Sequence, residues 1–214
     1  MPNYRYCGLI NMRVAIVKYN AGNIFSVVNA LGRIGIVPVI TDDREVLASA
    51  DRVLLPGQGE ASNTMAYLRE HSLDKLIVSL RQPVMGICIG QQLFCASSEE
   101  GGGTECLGVF PDVVVRKFTP LDGGEKVPHM GWNTIDGLSS PLMKGIDEGS
   151  FVYFVHSFYA PVNEFTIATT NYVEPFSAAM RRGNFFATQF HPEKSGDVGE
   201  RILRNFIDLD DKAL

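Results

Sequence analysis

The first half of the chain alternates between short, mostly apolar runs and segments with the spacing of amphipathic helices. Continuously apolar runs are typical of strands buried on both faces, and helices between such strands are typical of parallel connections. The pattern predicts strands at 13–19, 37–40, 52–57 and 83–88, and helices at 23–35, 41–50, 60–70, 72–81 and 90–98. It therefore predicts an α/β fold with a parallel sheet covered by helices on both faces.

The second half differs, because its apolar segments are separated by turns with little helix between them. Strands are predicted at 113–118, 129–135, 151–156, 165–170, 176–181 and 185–190, and a closing helix at 197–209. Short connections of this kind join antiparallel strands. We therefore expect a three-layer fold whose central, mostly parallel sheet carries antiparallel strand additions.

Length and composition favour one domain. A chain of 214 residues with 45% hydrophobic residues can bury a full core, and no linker-like segment divides it. The first strand-like run begins only at Arg13, and Met12 could be the true start. We therefore expect residues 1–11 to form an N-terminal extension that need not be ordered, and residues 12–214 to form the domain.

Charge and hydropathy argue against two classes of partner. The net charge of −5 disfavours a nucleic-acid-binding surface. The chain has no apolar run long enough to span a membrane, and its N-terminus lacks the apolar stretch of a signal peptide. We expect a cytoplasmic protein that binds neither nucleic acid nor membranes.

The cysteines bear on both metal binding and reactivity. Cys7, Cys88, Cys95 and Cys106 include no C-x-x-C pair, so no metal site is expected. In a reducing compartment they should be free thiols. That state leaves Cys88 available for chemistry, whereas Cys7, Cys95 and Cys106 are expected to be structural or surface thiols.

Cys88 has the sequence surroundings of a nucleophile. It ends a predicted strand and precedes a predicted helix, and Gly86 and Gly90 flank it at two residues on either side. Small residues at these positions permit the sharp turn of a nucleophile elbow. The helix start would stabilise a thiolate, and the N–H of Ile89 would point at an oxyanion. A buried structural thiol explains the motif about equally well.

His191 and Glu193 form a candidate pair of base and orienting carboxylate. Pro192 favours an extended conformation at His191, and extended geometry would place both side chains on one side of the chain. Such a pair is what nucleophilic catalysis needs. Taken alone, a loop histidine beside a solvated glutamate is the commoner arrangement. His71, His129 and His156 are weaker candidates, because His71 ends a polar helix and the others have no carboxylate two residues away.

A third motif is "LLPGQGEA" at 54–61, where a strand ends in Pro-Gly-x-Gly. Such a turn can aim backbone N–H groups at an anion. Taken alone, it is better explained as an ordinary turn.

Together these motifs resemble the class I, triad-type glutamine amidotransferases. The resemblance rests on G-I-C-I-G-Q-Q, the later H-P-E and the earlier L-P-G-x-G, in that order. Other segments resemble, within that class, the glutaminase subunits of imidazole glycerol phosphate synthase: "YNAGNIFSVVNAL" at 19–31, "PHMGWN" at 128–133, "YFVHSFY" at 153–159 and "QFHPEKS" at 189–195. The resemblance covers about Arg13 to Leu209 and implies a flavodoxin-like fold.

The resemblance implies a role for each matching residue. Cys88 would be the nucleophile, His191 the general acid and base, and Glu193 its orienting group. The oxyanion would lie near Gly57, Gln58 and Ile89. The substrate glutamine would contact Gln92, Glu100, Ser157 and Phe158. A partner subunit would contact Asn23, Trp132 and Lys194.

The resemblance also implies a reaction and a partner. Cys88 would attack glutamine to form a thioester, which water would hydrolyse to glutamate. The ammonia would pass to a cyclase subunit with a (β/α)8 barrel, which makes imidazole glycerol phosphate and aminoimidazole carboxamide ribonucleotide in histidine biosynthesis. No cofactor is implied. The chain departs from the family pattern at Lys18, Gln58 and Gln91, and Gln58 puts the behaviour of the oxyanion turn in question.

Three other functions compete with this one. Another ammonia-channelling synthase, such as one for anthranilate, would use the same triad with a different partner. A stand-alone cysteine hydrolase would act on γ-glutamyl or peptide bonds without a partner. A non-catalytic subunit could keep the fold, although all three triad residues are present here.

Overall fold

The computed structural model describes residues 12–19, 24–57, 59–120 and 124–210. The predicted extension at 1–11 lies outside this range, as do Asn23 and Gln58. None of the helices within the described ranges is long and apolar enough to cross a membrane.

A seven-stranded sheet forms the centre of the fold. Its order is β11-β12-β13-β4-β3-β1-β2. The strands are β1 Val14–Val17, β2 Val39–Thr41, β3 Arg52–Gly57, β4 Val84–Cys88, β11 Thr166–Asn171, β12 Pro175–Arg182 and β13 Phe185–Thr188. The β1–β2, β1–β3, β3–β4 and β4–β13 pairs are parallel, whereas the β11–β12 and β12–β13 pairs are antiparallel. The prediction of a mostly parallel sheet with antiparallel additions is confirmed.

Helices follow the parallel strands along the chain. They are α1 Ile24–Arg33, α2 Arg44–Ser49, α3 Ala61–Glu70, α4 Leu73–Ser79, α5 Ile89–Phe94 and α6 Gly196–Ile207. The side chain of Asp43 caps α2 by accepting hydrogen bonds from the N–H groups of Glu45 and Val46. Helix α1 ends before Gly35, which has a φ of +85° that favours glycine.

Apolar side chains cover both faces of the sheet. In β1, Val14 and Ile16 belong to one apolar core, and Ala15 and Val17 belong to the other. Alternating side chains of a strand point to opposite faces, so a strand that is buried throughout needs a layer on each side. This burial confirms the three-layer arrangement that the continuously apolar runs predicted.

The remaining strands form two small sheets of their own. A four-stranded sheet has the order β10-β7-β5-β6, and β8 pairs with β9 as an antiparallel hairpin. These strands are β5 Cys95–Ser98, β6 Thr104–Glu105, β7 Phe110–Lys117, β8 His129–Ile135, β9 Ser150–His156 and β10 Phe158–Tyr159. The segments predicted at 165–170 and 176–181 extend the main sheet as antiparallel strands, and the one at 185–190 joins it parallel to β4. The prediction is wrong for 113–118, 129–135 and 151–156, which form the separate sheets, because short turns fix local pairing and not the sheet that the strands join.

The helix predicted at 90–98 is wrong beyond Phe94. Cys95 begins a strand, because residues 95–98 pair with both β7 and β6. The hydrogen bonds of that second sheet replace those that a longer helix would make. Tertiary pairing therefore overrides the local apolar pattern at this point.

Candidate active site

The predicted catalytic residues meet at the carboxyl edge of the parallel strands. Cys88 is the last residue of β4 and pairs in register with Gly57, the last residue of β3. His191 follows β13, which runs parallel to β4 on the other side. In open α/β sheets this edge is where ligands bind.

Cys88 lies on a sharp turn that only a special backbone geometry permits. Its φ of 54° and ψ of −105° are rare for a residue with a side chain. A Cβ on Gly86 would lie 2.6 Å from the carbonyl group of Gly90, and a Cβ on Gly90 would lie 2.0 Å from the Leu55 oxygen. Both glycines are therefore needed for the chain to turn this tightly. Strain of this kind is typical of functional sites.

His191 and Glu193 form a buried ion pair. The distance from His191 Nδ1 to Glu193 Oε1 is 2.7 Å, and the two side chains are only 2% and 4% exposed. His191 is extended, but Pro192–Lys194 forms a 3₁₀ turn. The predicted pairing is therefore present, although the turn, and not continued extended chain, brings the side chains together.

Ser195 holds this turn in place. Its Oγ donates to the His191 carbonyl over 2.6 Å and accepts from the Tyr153 N–H over 2.9 Å. Because Tyr153 belongs to β9, the hydroxyl ties the His191 segment to the β8–β9 hairpin. Nothing in the sequence around Ser195 indicated this function.

The electrostatics of the site favour a charged imidazole. Burial alone would lower the pKa of His191, but the charge of Cys88 and then Glu193 raise it to about 10. Within the described chain, His191 Nε2 has no hydrogen-bond partner that meets strict geometry. Hydrogen bonds between catalytic side chains are often long without substrate and tighten when substrate binds.

A cavity of about 390 Å³ adjoins these residues. Its walls include Cys88, His191 and all four residues that were predicted to contact substrate. The lining residues are Gly59, Cys88, Ile89, Gln92, Glu100, Val155, His156, Ser157, Phe158 and His191. The structure thus brings together residues that lie far apart in the sequence.

Gln92 has one polar atom available for a ligand. Its Nε2 donates to the Phe158 carbonyl over 3.0 Å and to Gln189 Oε1 over 3.1 Å, which uses both amide hydrogens. Its Oε1 therefore remains as an acceptor at the cavity wall.

Glu100 lines the cavity and contacts the start of α3. Its Oε2 accepts a hydrogen bond from the N–H of Ala61 over 2.6 Å. Burial raises the pKa of Glu100, the Ala61 N–H lowers it, and the charge of Glu60 raises it further. Its second oxygen is free of this contact and can meet a cationic group.

The backbone near Gly57 also suits its predicted role. A Cβ at Gly57 would lie 1.5 Å from Ile89 Cγ2, so the close approach of β3 to α5 requires glycine. The hydroxyl of Tyr19 donates to the carbonyl of the preceding Pro56. Burial, and then the charge of Cys88, raises the pKa of Tyr19, which keeps its proton available for this bond.

Gln91 faces away from the cavity. Its side chain is fully buried, and its Nε2 donates to the Ser177 carbonyl over 2.8 Å. Gln91 does not line the cavity. This departure from the family motif therefore contacts β12 and not the candidate substrate.

Two of the predicted partner residues, Trp132 and Lys194, lie beside Tyr153, and Asn23 lies outside the described residues. Trp132 of β8 is 56% exposed, and Lys194 lies 5.8 Å from the Tyr153 ring. Met130 and Phe151 on the same hairpin are also exposed. We call these exposed residues, Met130, Trp132 and Phe151, the hairpin patch.

Metal binding has no structural support in the described ranges. Among those residues, no group of three or more histidine, cysteine, aspartate or glutamate side chains could hold a metal ion. Cys88, Cys95 and Cys106 are free thiols.

Comparison with known proteins identifies the family of the chain. The family model described as "Glutamine amidotransferase class-I" matches residues 16–209. A solved structure described as a glutamine amidotransferase is 19% identical, with a TM-score of 0.69, over 91% of this chain and 97% of that chain. At that identity the structure supports the fold.

Curated relatives are much more similar. The imidazole glycerol phosphate synthase subunit HisH of Bacteroides fragilis (strain YCH46) is 59% identical, and that of Bacteroides thetaiotaomicron is 60% identical. Each match covers 92% of this chain and 100% of the relative.

The chain therefore belongs to the class I glutamine amidotransferases, and it is an enzyme. Within that class it falls in the family of the imidazole glycerol phosphate synthase subunit HisH.

Proposed function

We propose that the chain is the glutaminase subunit of imidazole glycerol phosphate synthase in histidine biosynthesis. It hydrolyses glutamine through a thioester on Cys88 and delivers ammonia to a cyclase subunit. The observation that carries this proposal is that the strained Cys88 lines one cavity with His191, which is paired with the buried Glu193. The relatives at 59–60% identity support the choice of synthase.

The reaction begins with transfer of the thiol proton from Cys88 to His191. The thiolate attacks the side-chain carbonyl carbon of glutamine, and a carbon–sulfur bond forms. Glu193 accepts the Nδ1–H of His191, so Nε2 is the ring atom that exchanges protons with Cys88. The raised pKa of His191 suits it to hold the proton until the leaving group takes it.

The second half of the reaction releases both products. The tetrahedral intermediate collapses, the carbon–nitrogen bond breaks, and ammonia leaves with the proton from His191. Water then gives a proton to His191 and attacks the thioester, which yields glutamate and the Cys88 thiolate.

Backbone N–H groups stabilise the oxyanion in this proposal. Ile89 is the first residue of α5, so its N–H has no carbonyl acceptor within the helix. The strand end at Gly57 lies beside Cys88 and supplies the second donor, while Gln58, predicted to share this role, lies outside the described residues. Donors of this kind typically contribute a factor of about 100 to 1,000 in rate.

The substrate is held at its polar ends. Gln92 Oε1 accepts a hydrogen bond from glutamine, and the Glu100 carboxylate pairs with its ammonium group. Ser157 and Phe158 contact it through their backbone. Supporting this, all four residues line the cavity that contains Cys88.

The partner is a cyclase with a (β/α)8 barrel, which docks on the hairpin patch, Lys194 and Asn23. The patch supports this because three large apolar side chains are exposed together on one hairpin. A cytoplasmic location is part of the same proposal, since a reducing compartment keeps cysteines as free thiols.

The test is a glutaminase assay on the purified chain, with and without the cyclase and its nucleotide ligand. We expect slow glutamine hydrolysis by the chain alone and strong activation in the complex. Full turnover without the partner would favour a stand-alone hydrolase. Activation only by the partner subunit of a different synthase would assign the chain to the pathway of that synthase.

A further inference from the structure

Gln189 lies against the sulfur of Cys88. Its side chain is fully buried just beyond β13, two residues before His191. The Nε2 atom lies 3.7 Å from Cys88 Sγ, and Oε1 lies 3.1 Å from Gln92 Nε2. The Gln189 amide therefore bridges the reacting sulfur and a residue of the cavity wall.

The direction of the Gln189 amide follows from its neighbours. The Phe158 carbonyl can only accept, so the amide nitrogen of Gln92 must face it. The second N–H of Gln92 then needs an acceptor, which is Gln189 Oε1. If the Gln189 amide were reversed, two donors would face each other. Its N–H must therefore point at sulfur.

A buried histidine pair supports the Phe158 carbonyl from the other side. His156 Nδ1 donates to this carbonyl over 2.8 Å, so its Nε2 is an acceptor. His129 Nδ1 donates to that atom over 3.1 Å, and Asn133 Nδ2 lies 3.4 Å from His129 Nε2. Each ring has one donor and one acceptor, as in neutral imidazole.

Burial keeps both rings in that neutral state. It lowers the pKa of His129 to about 4 and, despite the hydrogen bond to Phe158, lowers that of His156 to about 3. Tyr172 stacks on His129 at a centroid distance of 3.9 Å and restricts the ring. The direction of every donor in this series of hydrogen bonds, which runs from Asn133 to Cys88, is thus fixed at neutral pH.

The charge state of the sulfur decides what Gln189 does. A thiol can donate to the Val155 carbonyl, which lies 3.8 Å from Cys88 Sγ. A thiolate has no proton to donate, but it accepts the Gln189 N–H more strongly, since hydrogen bonds to charged groups are the stronger ones. The Gln189 contact therefore favours the thiolate.

We propose that Gln189 is a further catalytic residue, which binds the Cys88 thiolate through its amide N–H. His129 and His156 are positioning residues. They fix the direction of the Gln189 amide through Phe158 and Gln92. The contact between Gln189 and Cys88 does not rest on the proposed function. Only the reaction that the thiolate enters rests on it.

The test is the pH profile of Cys88 alkylation by iodoacetamide in the purified full chain. Tryptic peptide 82–116 holds Cys88, Cys95 and Cys106, and fragmentation by mass spectrometry assigns the modified thiol. In Gln189→Leu, we expect the midpoint of the profile to move up by about one pH unit, with alkylation about ten-fold slower below it.

The matched control is Gln91→Leu, which removes another fully buried amide that does not line the cavity. Its profile should match that of the unmodified chain. If Gln189→Leu does not fold, Gln189→Glu keeps the shape but offers no N–H, and it should slow alkylation in the same way. A folded Gln189 variant with an unchanged profile would overturn the proposal.

The positioning role has its own test, His129→Phe. Phenylalanine keeps the stacking with Tyr172 but cannot donate to His156. We expect a smaller shift in the same direction as for Gln189→Leu, and no shift would remove His129 from the proposal. Because alkylation needs no glutamine, a shift in a chain without glutaminase activity would overturn the proposed function and leave this contact standing.

Discussion

His191 donates a hydrogen bond from Nδ1 to Oε1 of Glu193 over 2.7 Å, and both side chains are almost completely buried. A 3₁₀ turn that begins at Pro192 brings the two together. Carboxylates are rarely buried without a partner, and His191 is the partner that the turn places beside Glu193. It leaves the other ring nitrogen of His191 for Cys88.

The first prediction concerns the charge on Glu193. In Glu193→Gln the amide oxygen can still accept the Nδ1–H, but the negative charge that stabilises the imidazolium is lost. We expect kcat for glutamine hydrolysis in the complex to fall by about 100-fold or more, with little change in KM. A Glu193→Gln enzyme that retains normal kcat would contradict the orienting role.

The second prediction concerns the pKa of His191, followed by NMR titration. Cys88 contributes the largest of the effects that raise this pKa, so Cys88→Ala should lower it from about 10. Cys106→Ala, which removes a thiol outside the cavity, should leave it unchanged. If the pKa of His191 in Cys88→Ala equals that in the unmodified chain, the side chains of Cys88 and His191 do not interact.

The same pKa predicts how stability depends on pH. Because the folded chain holds the His191 proton more tightly than the ordinary value of 6.5 implies, this group stabilises the fold fully below pH 6.5. That contribution is lost as the pH rises through about 10. Urea unfolding across this range should show a smaller alkaline loss of stability for Cys88→Ala than for the unmodified chain.

The third prediction tests the tight turn around Cys88. In Gly90→Ala the new Cβ would lie 2.0 Å from the Leu55 carbonyl oxygen, which is backbone and cannot rotate away. We expect a loss of about 2–3 kcal/mol in the free energy of unfolding, together with loss of glutaminase activity. If Gly90→Ala has the same free energy of unfolding as the unmodified chain, the turn around Cys88 relaxes easily.

Gly32 provides the control for that substitution. It lies in α1, and a Cβ there would meet nothing within 4 Å. Gly32→Ala should therefore stabilise the chain by about 0.5–1 kcal/mol, since alanine favours the helix.

Parts of this arrangement could be predicted from the sequence because they depend on local pattern. The continuously apolar runs predicted the buried parallel strands, and the glycines around Cys88 predicted a sharp turn. The strand at Cys95 was missed, because its pairing with β7 and β6 depends on residues distant in sequence.

Gln189 and the His129–His156 pair were missed for a similar reason. The register of the hairpin places His129 opposite His156, and no local feature of either segment indicates that register. Gln189 lies beside the H-P-E motif, but its contact with Cys88 exists only once β13 has paired with β4.

The fourth prediction concerns the hairpin patch. Trp132→Ala should weaken binding of the cyclase by about 30-fold, as expected when an aromatic anchor is removed from an interface. It should leave the melting temperature of the free chain almost unchanged, because Trp132 is 56% exposed. Titration calorimetry of the complex measures the affinity.

Val37→Ala is the matched control. Val37 is 89% exposed and precedes β2, which runs parallel to β1, so it lies at the sheet edge opposite the carboxyl ends. The affinity of the Val37→Ala chain for the cyclase should equal that of the unmodified chain. Equal affinity for Trp132→Ala would exclude the patch as the docking site.

The most direct test of the central claim is the activity of Cys88→Ala in the complex, with glutamine or with added ammonia as the nitrogen source. Only the glutaminase reaction uses the thiol, so we expect no glutamine-dependent product and normal ammonia-dependent product. Glutamine-dependent synthesis that survives in Cys88→Ala would contradict the assignment of Cys88 as the nucleophile.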